Sequence, residues 1–154
     1  MPAPSGPPLF LERLWPSPGI WAASLGFGAA LGLIPAPVNA GVAAATAVTG
    51  FLAMAAFMVT STPSVSLTDD TFAAGRAAVP VSMVASVEKL DADRMRQARG
   101  VRLDARAYLC LRGWLPAGVK VVLRDPEDPT PYWLVSSRRP DALVESLSSV
   151  LTRH

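Results

Sequence analysis

The chain contains a long apolar stretch that no charged residue interrupts. Over Leu14–Thr68, 55 consecutive positions hold no Asp, Glu, Lys, Arg or His. Two apolar runs, about residues 16–34 and 41–59, lie within this stretch. The segment Pro35–Asn39 separates them, since proline ends helices and asparagine suits the N-cap of the next one. A spanning helix needs about 20 apolar residues, so the pattern predicts a two-helix transmembrane hairpin over residues 16–60.

Two other interpretations of the apolar runs stay open. The first run could be a cleaved signal peptide ending near Val38-Asn39-Ala40, although its basic N-terminal region is poor and contains Glu12. Alternatively, both runs are buried helices of a soluble domain, but the 92 residues after Thr62 are few to surround two helices. The first run also reaches spanning length only when Pro16–Gly19 are included.

Flanking charges predict the orientation of the hairpin. The connection between the runs has no Lys or Arg, whereas Arg13 precedes the first run and Arg76 and Lys89 follow the second. The positive-inside rule then predicts a multi-pass protein of the cytoplasmic (inner) membrane with both termini in the cytoplasm. Residues 1–15 would form a short cytoplasmic tail.

Small residues recur along the first run at four-residue spacing, at Ser24, Gly28 and Gly32. This spacing favours close packing of the two helices against each other, with homodimerisation through the same face as the alternative. The runs contain no ionisable group, which argues against a transporter or a channel.

Residues 63–154 have a different pattern and an ordinary globular composition. Short alternating segments bounded by turn residues predict strands. These strands cover about residues 65–67, 71–73, 79–81, 83–90, 107–111, 119–124 and 132–136. Asp91 caps a short helix that ends near Gly100, and an apolar stripe predicts a last helix over about residues 140–152. This order predicts a small cytoplasmic α+β domain of pleckstrin-homology-like type, an antiparallel sheet with a C-terminal amphipathic helix.

Two segments carry a resemblance to a known family. They are Leu11-Glu12-Arg13-Leu14-Trp15 and the longer Asp125-Pro126-Glu127-Asp128-Pro129-Thr130-Pro131-Tyr132-Trp133-Leu134-Val135-Ser136-Ser137-Arg138-Arg139-Pro140. Together they resemble the actinobacterial domain-of-unknown-function 3093 family over nearly the whole chain. The resemblance implies a small alanine-rich membrane protein of high-GC bacteria, and it implies no activity and no catalytic residues.

Composition excludes several kinds of chemistry. The net charge of +2 is too small to argue for a nucleic-acid partner. The single cysteine, Cys110, allows no internal disulfide and is expected as a buried core thiol. The only histidine is the last residue, His154, which argues against a catalytic triad or a histidine-based metal site. We therefore expect no cofactor, no metal and no catalytic residue.

Two groups of charged residues are candidate binding sites. The first group consists of arginines, namely Arg94, Arg96, Arg99, Arg102, Arg106, Arg138 and Arg139. Near a membrane surface each arginine gains about 1 kcal/mol from anionic headgroups; the alternative is a solvated face with local ion pairs. The second group is the loop with Asp125, Glu127 and Asp128, which either binds a cation or acts as acid and base, or simply connects two strands.

These patterns predict a membrane-tethered, non-catalytic binding or adaptor domain for a protein partner or for anionic lipid headgroups. Two alternatives remain. One is an accessory subunit of a larger membrane complex, and the other is an enzyme that uses the acidic loop.

Overall fold

The computed structural model describes residues 7–124 and 129–153. The candidates Asp125, Glu127 and Asp128, together with His154, lie outside the described residues. The chain divides into two compact units. The helical unit is Trp15–Thr62, and the α+β unit combines Met1–Leu14 with Pro63–His154.

The helical unit consists of two consecutive helices, α1 (Pro18–Leu33) and α2 (Ala40–Thr60). Pro18 occupies the first turn of α1, where its missing N–H costs nothing. The side chain of Asn39 caps α2 and accepts hydrogen bonds from the N–H groups of Gly41 (2.8 Å) and Val42 (3.1 Å). The N-terminal boundaries of both helices therefore follow from local residue chemistry.

The two helices differ in length from the expected pair of full spans. With 21 residues, α2 is long and apolar enough to cross a membrane. None of the residues in its most apolar 18-residue segment is buried within the protein. By contrast, α1 has 16 residues, which is about 24 Å of helix against about 30 Å of hydrocarbon. The helix begins only at Pro18 and ends at Leu33, and Pro35 has no backbone N–H with which to extend the helical hydrogen bonds. The structure thus contains one described helix of spanning length and one shorter apolar helix.

The first sheet of the α+β unit is an antiparallel meander of four strands. They are β1 (Phe10–Arg13), β2 (Ser64–Leu67), β3 (Thr71–Ala74) and β4 (Ala77–Pro80), paired in that order. Residues 1–15, expected as a tail, contain β1, and Arg13 lies directly opposite Ser64. The whole helical unit is thus inserted in sequence between two neighbouring strands.

The second sheet follows a 3-10 turn at Val81–Met83. Its strands are β5 (Val84–Leu90), β6 (Tyr108–Cys110), β7 (Gly118–Leu123) and β8 (Tyr132–Ser136), in the spatial order β5-β7-β8-β6. The strand β6 is parallel to β8, whereas the other two pairs are antiparallel. The single antiparallel sheet expected from the sequence is therefore two sheets with one parallel pair.

Two helices cover opposite faces of the second sheet. The main core contains Val121 and Trp133 from the sheet and Leu143 and Leu147 from α4 (Pro140–Leu151). On the other face, Leu134 packs with Leu90 and with Met95 of α3 (Ala92–Ala98). Neighbouring strand residues such as Trp133 and Leu134 point to opposite faces, which explains the two separate clusters.

The α+β class and the secondary structure predicted after residue 63 are confirmed, with helix and strand ends shifted by a few residues. The pleckstrin-homology-like type and the membrane hairpin stay predictions.

Candidate functional site

The seven candidate arginines make four different kinds of contact. Two of them, Arg96 and Arg106, form local ion pairs; two, Arg94 and Arg102, line a groove. Arg138 and Arg139 contact the first strand. Arg99 is the C-terminal cap residue of α3, where its N–H donates to the carbonyl of Met95 at 3.0 Å.

The local pairs match the solvated-face alternative. Arg96 lies 2.9 Å from Asp93 on the exposed side of α3. Arg106 donates to Asp104 from its backbone N–H (2.9 Å) and its guanidinium (3.2 Å). These hydrogen bonds lower the pKa of the Asp104 carboxyl and raise the pKa of the Arg106 guanidinium. Exposed pairs of this kind add little free energy of folding.

A groove of about 360 Å³, the α3 groove, lies between α3 and the outer face of the second sheet. Its lining comes from β5, α3, the loop after α3, β7 and β8. The lining residues are Glu88, Leu90, Arg94, Gln97, Ala98, Arg102, Lys120 and Tyr132. Three cations and one carboxylate therefore meet in one small volume.

Contacts within the α3 groove hold its charged groups in place. The Arg94 guanidinium donates to Glu88 at 2.9 Å. The Lys120 ammonium lies 4.3 Å from the centroid of the Tyr132 ring, a cation–π contact. Within the described residues, the guanidinium of Arg102 has no hydrogen-bond or ion-pair partner. This part of the groove is therefore electropositive.

Sequence reasoning singled out Arg94 and Arg102 but missed Gln97, Lys120 and Tyr132. The three missed residues belong to three different elements, so no local spacing relates them. The one local signal is Lys120, a single cation within the otherwise apolar strand β7, where a polar residue marks the face away from the main core.

A second feature, the Glu12 clasp, consists of Glu12, Ser137, Arg138 and Arg139. It joins β1 to the short segment between β8 and the last helix, α4. Glu12 is buried, with only 6% of the residue exposed. It accepts hydrogen bonds from the Ser137 hydroxyl (2.6 Å) and from the backbone N–H of Arg138 (2.8 Å). The Ser137 hydroxyl oxygen in turn accepts from the N–H of Arg139 at 3.0 Å. A buried carboxylate requires such partners, because leaving it unpaired is costly.

The guanidinium groups of the clasp hold the backbone of β1. Arg138 donates to the carbonyl of Arg13 at 3.4 Å, and Arg139 donates to that of Leu11 at 3.0 Å. Arg139 also lies 5.1 Å from the centroid of the Phe10 ring. The two segments that carry the family resemblance, far apart in sequence, are therefore in direct contact.

The small residues of α1 lie where the two helices meet. Ser24, Gly28 and Gly32 are the buried residues of α1. A Cβ atom at Gly28 would lie 2.7 Å from the carbonyl oxygen of Ala47. At Gly32 it would lie 2.8 Å from that of Ala43. These positions bring the backbones of α1 and α2 close together.

The remaining single-residue candidates, Cys110 and Trp114, are both buried or partly buried in the α+β unit. Cys110 is buried, and burial raises the pKa of its thiol, with Arg112 opposing the shift. Within residues 7–124 and 129–153, no group of three or more His, Cys, Asp or Glu side chains could hold a metal ion. Trp114 is partly buried against the main core.

Comparison with known proteins gives one match. A model of the family described as "Protein of unknown function (DUF3093)" matches residues 9–147. No curated protein and no solved structure matches the chain. The matched range runs from β1 through the helical unit into α4, so it includes both the Glu12 clasp and the α3 groove. The chain belongs to the DUF3093 family, as its two motifs predicted.

Proposed function

We propose that this protein is a membrane-anchored, non-catalytic binding protein. In this proposal α1 and α2 form a transmembrane hairpin in the cytoplasmic membrane, with both termini in the cytoplasm. The α+β unit, a pleckstrin-homology-like domain, binds anionic lipid headgroups at the membrane surface through its arginines. The likeness to pleckstrin-homology domains rests on element order, with strands first and an amphipathic C-terminal helix on the core.

The observation that carries the proposal is the unburied apolar surface of α2. The helix has 21 residues without a charge, and large side chains such as Leu52 and Phe57 are 58% and 61% exposed. Core helices of soluble proteins bury such side chains, since exposure to water costs about 1.5–3 kcal/mol for each. Lipid is the solvent that removes this cost.

The shorter helix α1 is compatible with the same bilayer. Its length falls about 6 Å short of the hydrocarbon thickness. Local thinning of the bilayer or flanking interfacial residues accommodate such a mismatch at a fraction of a kcal/mol per Å. Trp15 and Trp21, close to the start of α1, are residues of the type that favours the headgroup layer.

The connections between the units supply the argument for headgroup binding. Only residues 14–17 separate β1 from α1, and only residues 61–63 separate α2 from β2. Arg13, at the end of β1, precedes the first residue of α1 by five positions in the sequence, and the clasp arginines bond the backbone of the same strand. Arginines this near a span gain about 1 kcal/mol each from an anionic leaflet.

Hydrogen–deuterium exchange of the full chain in lipid nanodiscs tests the proposal. Nanodiscs of phosphatidylcholine are compared with nanodiscs that contain 30% phosphatidylglycerol, chosen as a moderate anionic charge. We expect slower exchange over Leu9–Arg13 and Ser137–Arg139 in the anionic nanodiscs. The difference should vanish in high salt, because salt screens headgroup attraction.

Matched variants separate headgroup contact from a general change in the domain. Replacing Arg138 and Arg139 by alanine keeps the backbone N–H that bonds Glu12 and removes both guanidinium groups. We expect this double variant to lose the lipid dependence and Arg96→Ala to keep it. Equal exchange of the unmodified chain in both kinds of nanodisc would contradict headgroup binding.

An apolar groove on the helical unit favours a second candidate function, that of an accessory subunit in a larger membrane complex. The groove measures about 450 Å³ and is lined by residues of α1 and α2 such as Leu31, Ala45 and Gly50. Small residues allow close approach of another transmembrane helix. Native mass spectrometry of the chain purified in mild detergent distinguishes the cases. A complex of fixed stoichiometry with another protein supports the subunit function, and a monomer or homodimer contradicts it.

A further inference from the structure

The α3 groove brings three cationic side chains around one small volume. Arg94, Arg102 and Lys120 line it against the single carboxylate of Glu88. Its size, about 360 Å³, lies at the lower end of the range of about 300–1,000 Å³ that is typical of small-molecule sites. The groove therefore suits a small anionic group better than a protein segment.

The backbone that carries Arg102 is held from two sides. The N–H of Arg102 donates to the carbonyl of Gln97 at 3.2 Å. Its own carbonyl accepts a hydrogen bond from the Tyr132 hydroxyl at 3.3 Å. The same hydroxyl oxygen accepts from the N–H of Asp104 at 2.8 Å. Because this loop is fixed before any ligand arrives, little ordering entropy is lost when a ligand binds.

Lys120 and Arg94 are also oriented by their neighbours. Lys120 lies opposite Glu88 across the β5–β7 pair and above the ring of Tyr132. Arg94 stands in the first turn of α3, where its N–H bonds the capping carboxylate of Asp91 and its guanidinium bonds Glu88. The groove therefore offers two planar guanidinium groups, one ammonium and the side-chain amide of Gln97.

This donor set matches the chemistry of a phosphate group. Guanidinium groups donate two parallel hydrogen bonds to phosphate oxygens, and an ammonium adds a compact charge. A phosphate monoester has three terminal oxygens and up to two negative charges near neutral pH. Three cations against one carboxylate leave an excess of two positive charges in the groove, which a dianion neutralises.

We infer that the α3 groove is a binding site for a phosphate monoester group, carried by a lipid headgroup or by a free small molecule. The inference deepens the proposed function and rests on it only for the membrane location of the groove. The residues involved differ from the clasp arginines, so the two proposals fail separately.

Titration with inorganic phosphate tests the site. The full chain is placed in phosphatidylcholine nanodiscs, and the side-chain Nε–H signals of Arg94 and Arg102 are followed by NMR. We expect saturable shifts with phosphate that chloride at the same ionic strength does not produce. The double variant Arg102→Ala, Lys120→Gln should bind phosphate at least about tenfold more weakly, because charge-assisted hydrogen bonds are lost.

Arg96→Ala is the matched control for this experiment. Arg96 lies on the same helix and pairs with Asp93, and it does not line the groove. We expect this variant to bind phosphate like the unmodified chain. Equal affinity of the double variant and the unmodified chain, or shifts that chloride reproduces, would overturn the inference.

Two lipid mixtures then identify the source of the phosphate. Phosphatidic acid carries a phosphate monoester, whereas phosphatidylglycerol carries a diester at a similar surface charge. If the source is a lipid, phosphatidic acid nanodiscs should compete with inorganic phosphate and phosphatidylglycerol nanodiscs should compete much less. If the source is a free small molecule, the affinity for inorganic phosphate should be similar in both mixtures.

Discussion

The helical unit and the α+β unit place their apolar side chains in opposite ways. In the α+β unit Phe72, Leu134 and Leu147 are fully buried. In the helical unit the buried positions of α1 are Ser24, Gly28 and Gly32, whereas large residues such as Leu25 and Phe57 are mostly exposed. The same chain therefore follows two packing rules, and this difference is the one expected if lipid surrounds the helical unit, as we propose.

Glycines illustrate the two rules in a single residue type. Gly28 allows the backbone of α1 to approach the Ala47 carbonyl of α2. Gly118 begins β7, where an added Cβ would collide with the carbonyl of Val135 and the side chain of Met95. In the helical unit the small residue creates the interface itself. In the α+β unit the glycine lets the backbone of β7 pair closely with β8 and also leaves space for the Met95 side chain, which packs in a core of large residues.

The largest expected effect comes from placing a charge on the outer surface of α2. Leu52→Arg should cost about 2.5–3.5 kcal/mol of insertion free energy, since a charge near the centre of a span is unfavourable in lipid. Leu109→Arg, at an exposed position of β6, should change the stability of the α+β unit by less than about 0.5 kcal/mol. The fraction of each variant that resists alkaline carbonate extraction measures the difference. If Leu52→Arg integrates like the unmodified chain, the two surfaces share one solvent and the comparison fails.

A second prediction concerns the contact between α1 and α2. Gly28→Ala should destabilise the helical unit by about 1–3 kcal/mol, because the added methyl group overpacks a close backbone contact. Gly26→Ala is the control, since a Cβ there meets nothing within 4 Å and alanine favours helix by up to about 1 kcal/mol. Unfolding of the full chain in mild detergent, followed by tryptophan fluorescence, measures both changes. Equal effects of the two substitutions would show that Gly28 has no packing role.

The Glu12 clasp yields a prediction of similar or smaller size in the α+β unit. Ser137→Ala removes one hydrogen bond from the buried Glu12 carboxylate and one acceptor from the Arg139 N–H. We expect a loss of about 1–3 kcal/mol, the cost of leaving buried polar groups unsatisfied. Ser149→Ala is the control, because that hydroxyl is exposed on α4. Urea denaturation of the full chain measures both, and an unchanged midpoint for Ser137→Ala would contradict the role of the clasp.

The smallest expected effect concerns the exposed pair of Asp104 and Arg106. Hydrogen bonds from Arg106 lower the pKa of Asp104 below its ordinary value of 3.8. Arg106→Ala should therefore move that pKa back toward 3.8, as measured by NMR titration of the carboxyl carbon. Since the folded pKa is the lower one, the stabilisation is present above pH 3.8 and is lost as the pH falls through the folded pKa. An unchanged pKa in Arg106→Ala would show that the pair is absent in solution.

The strand β1 shows where sequence reasoning reached its limit. Its residues Phe10–Arg13 read as two apolar positions followed by two charged ones, which is no alternating pattern. The burial does alternate, because Glu12 points inward and Leu11 outward. The partner strand β2 begins about 50 residues later in the sequence. The hydrogen bonds that stabilise β1 therefore come from a distant part of the chain. A strand of four residues has too little local preference to be recognised without its partner.

Other elements were predictable because their signals are local. Alternation and turn residues predicted β2, β3, β7 and β8, and the apolar stripe predicted α4. The two halves of the Glu12 clasp, more than 120 residues apart, were noticed as motifs, and Arg138 and Arg139 also as candidate arginines, but no local signal related them to Glu12. Only part of the α3 groove was predicted. Arg94 and Arg102 were recognised as candidate charges, whereas no local pattern indicated that Lys120 and Tyr132 lie close to them.

The sequence by itself determined the division into an uncharged helical region and an α+β region, the order and approximate position of most helices and strands, and the family. These properties depend on residue type at short spacing, where periodicity, caps and turn chemistry act. Only the tertiary structure decided that β1 joins the domain, that the sheet divides into two, and which arginines meet around a common groove. Those features depend on contacts between residues distant in the chain, and local preference carries no information about them.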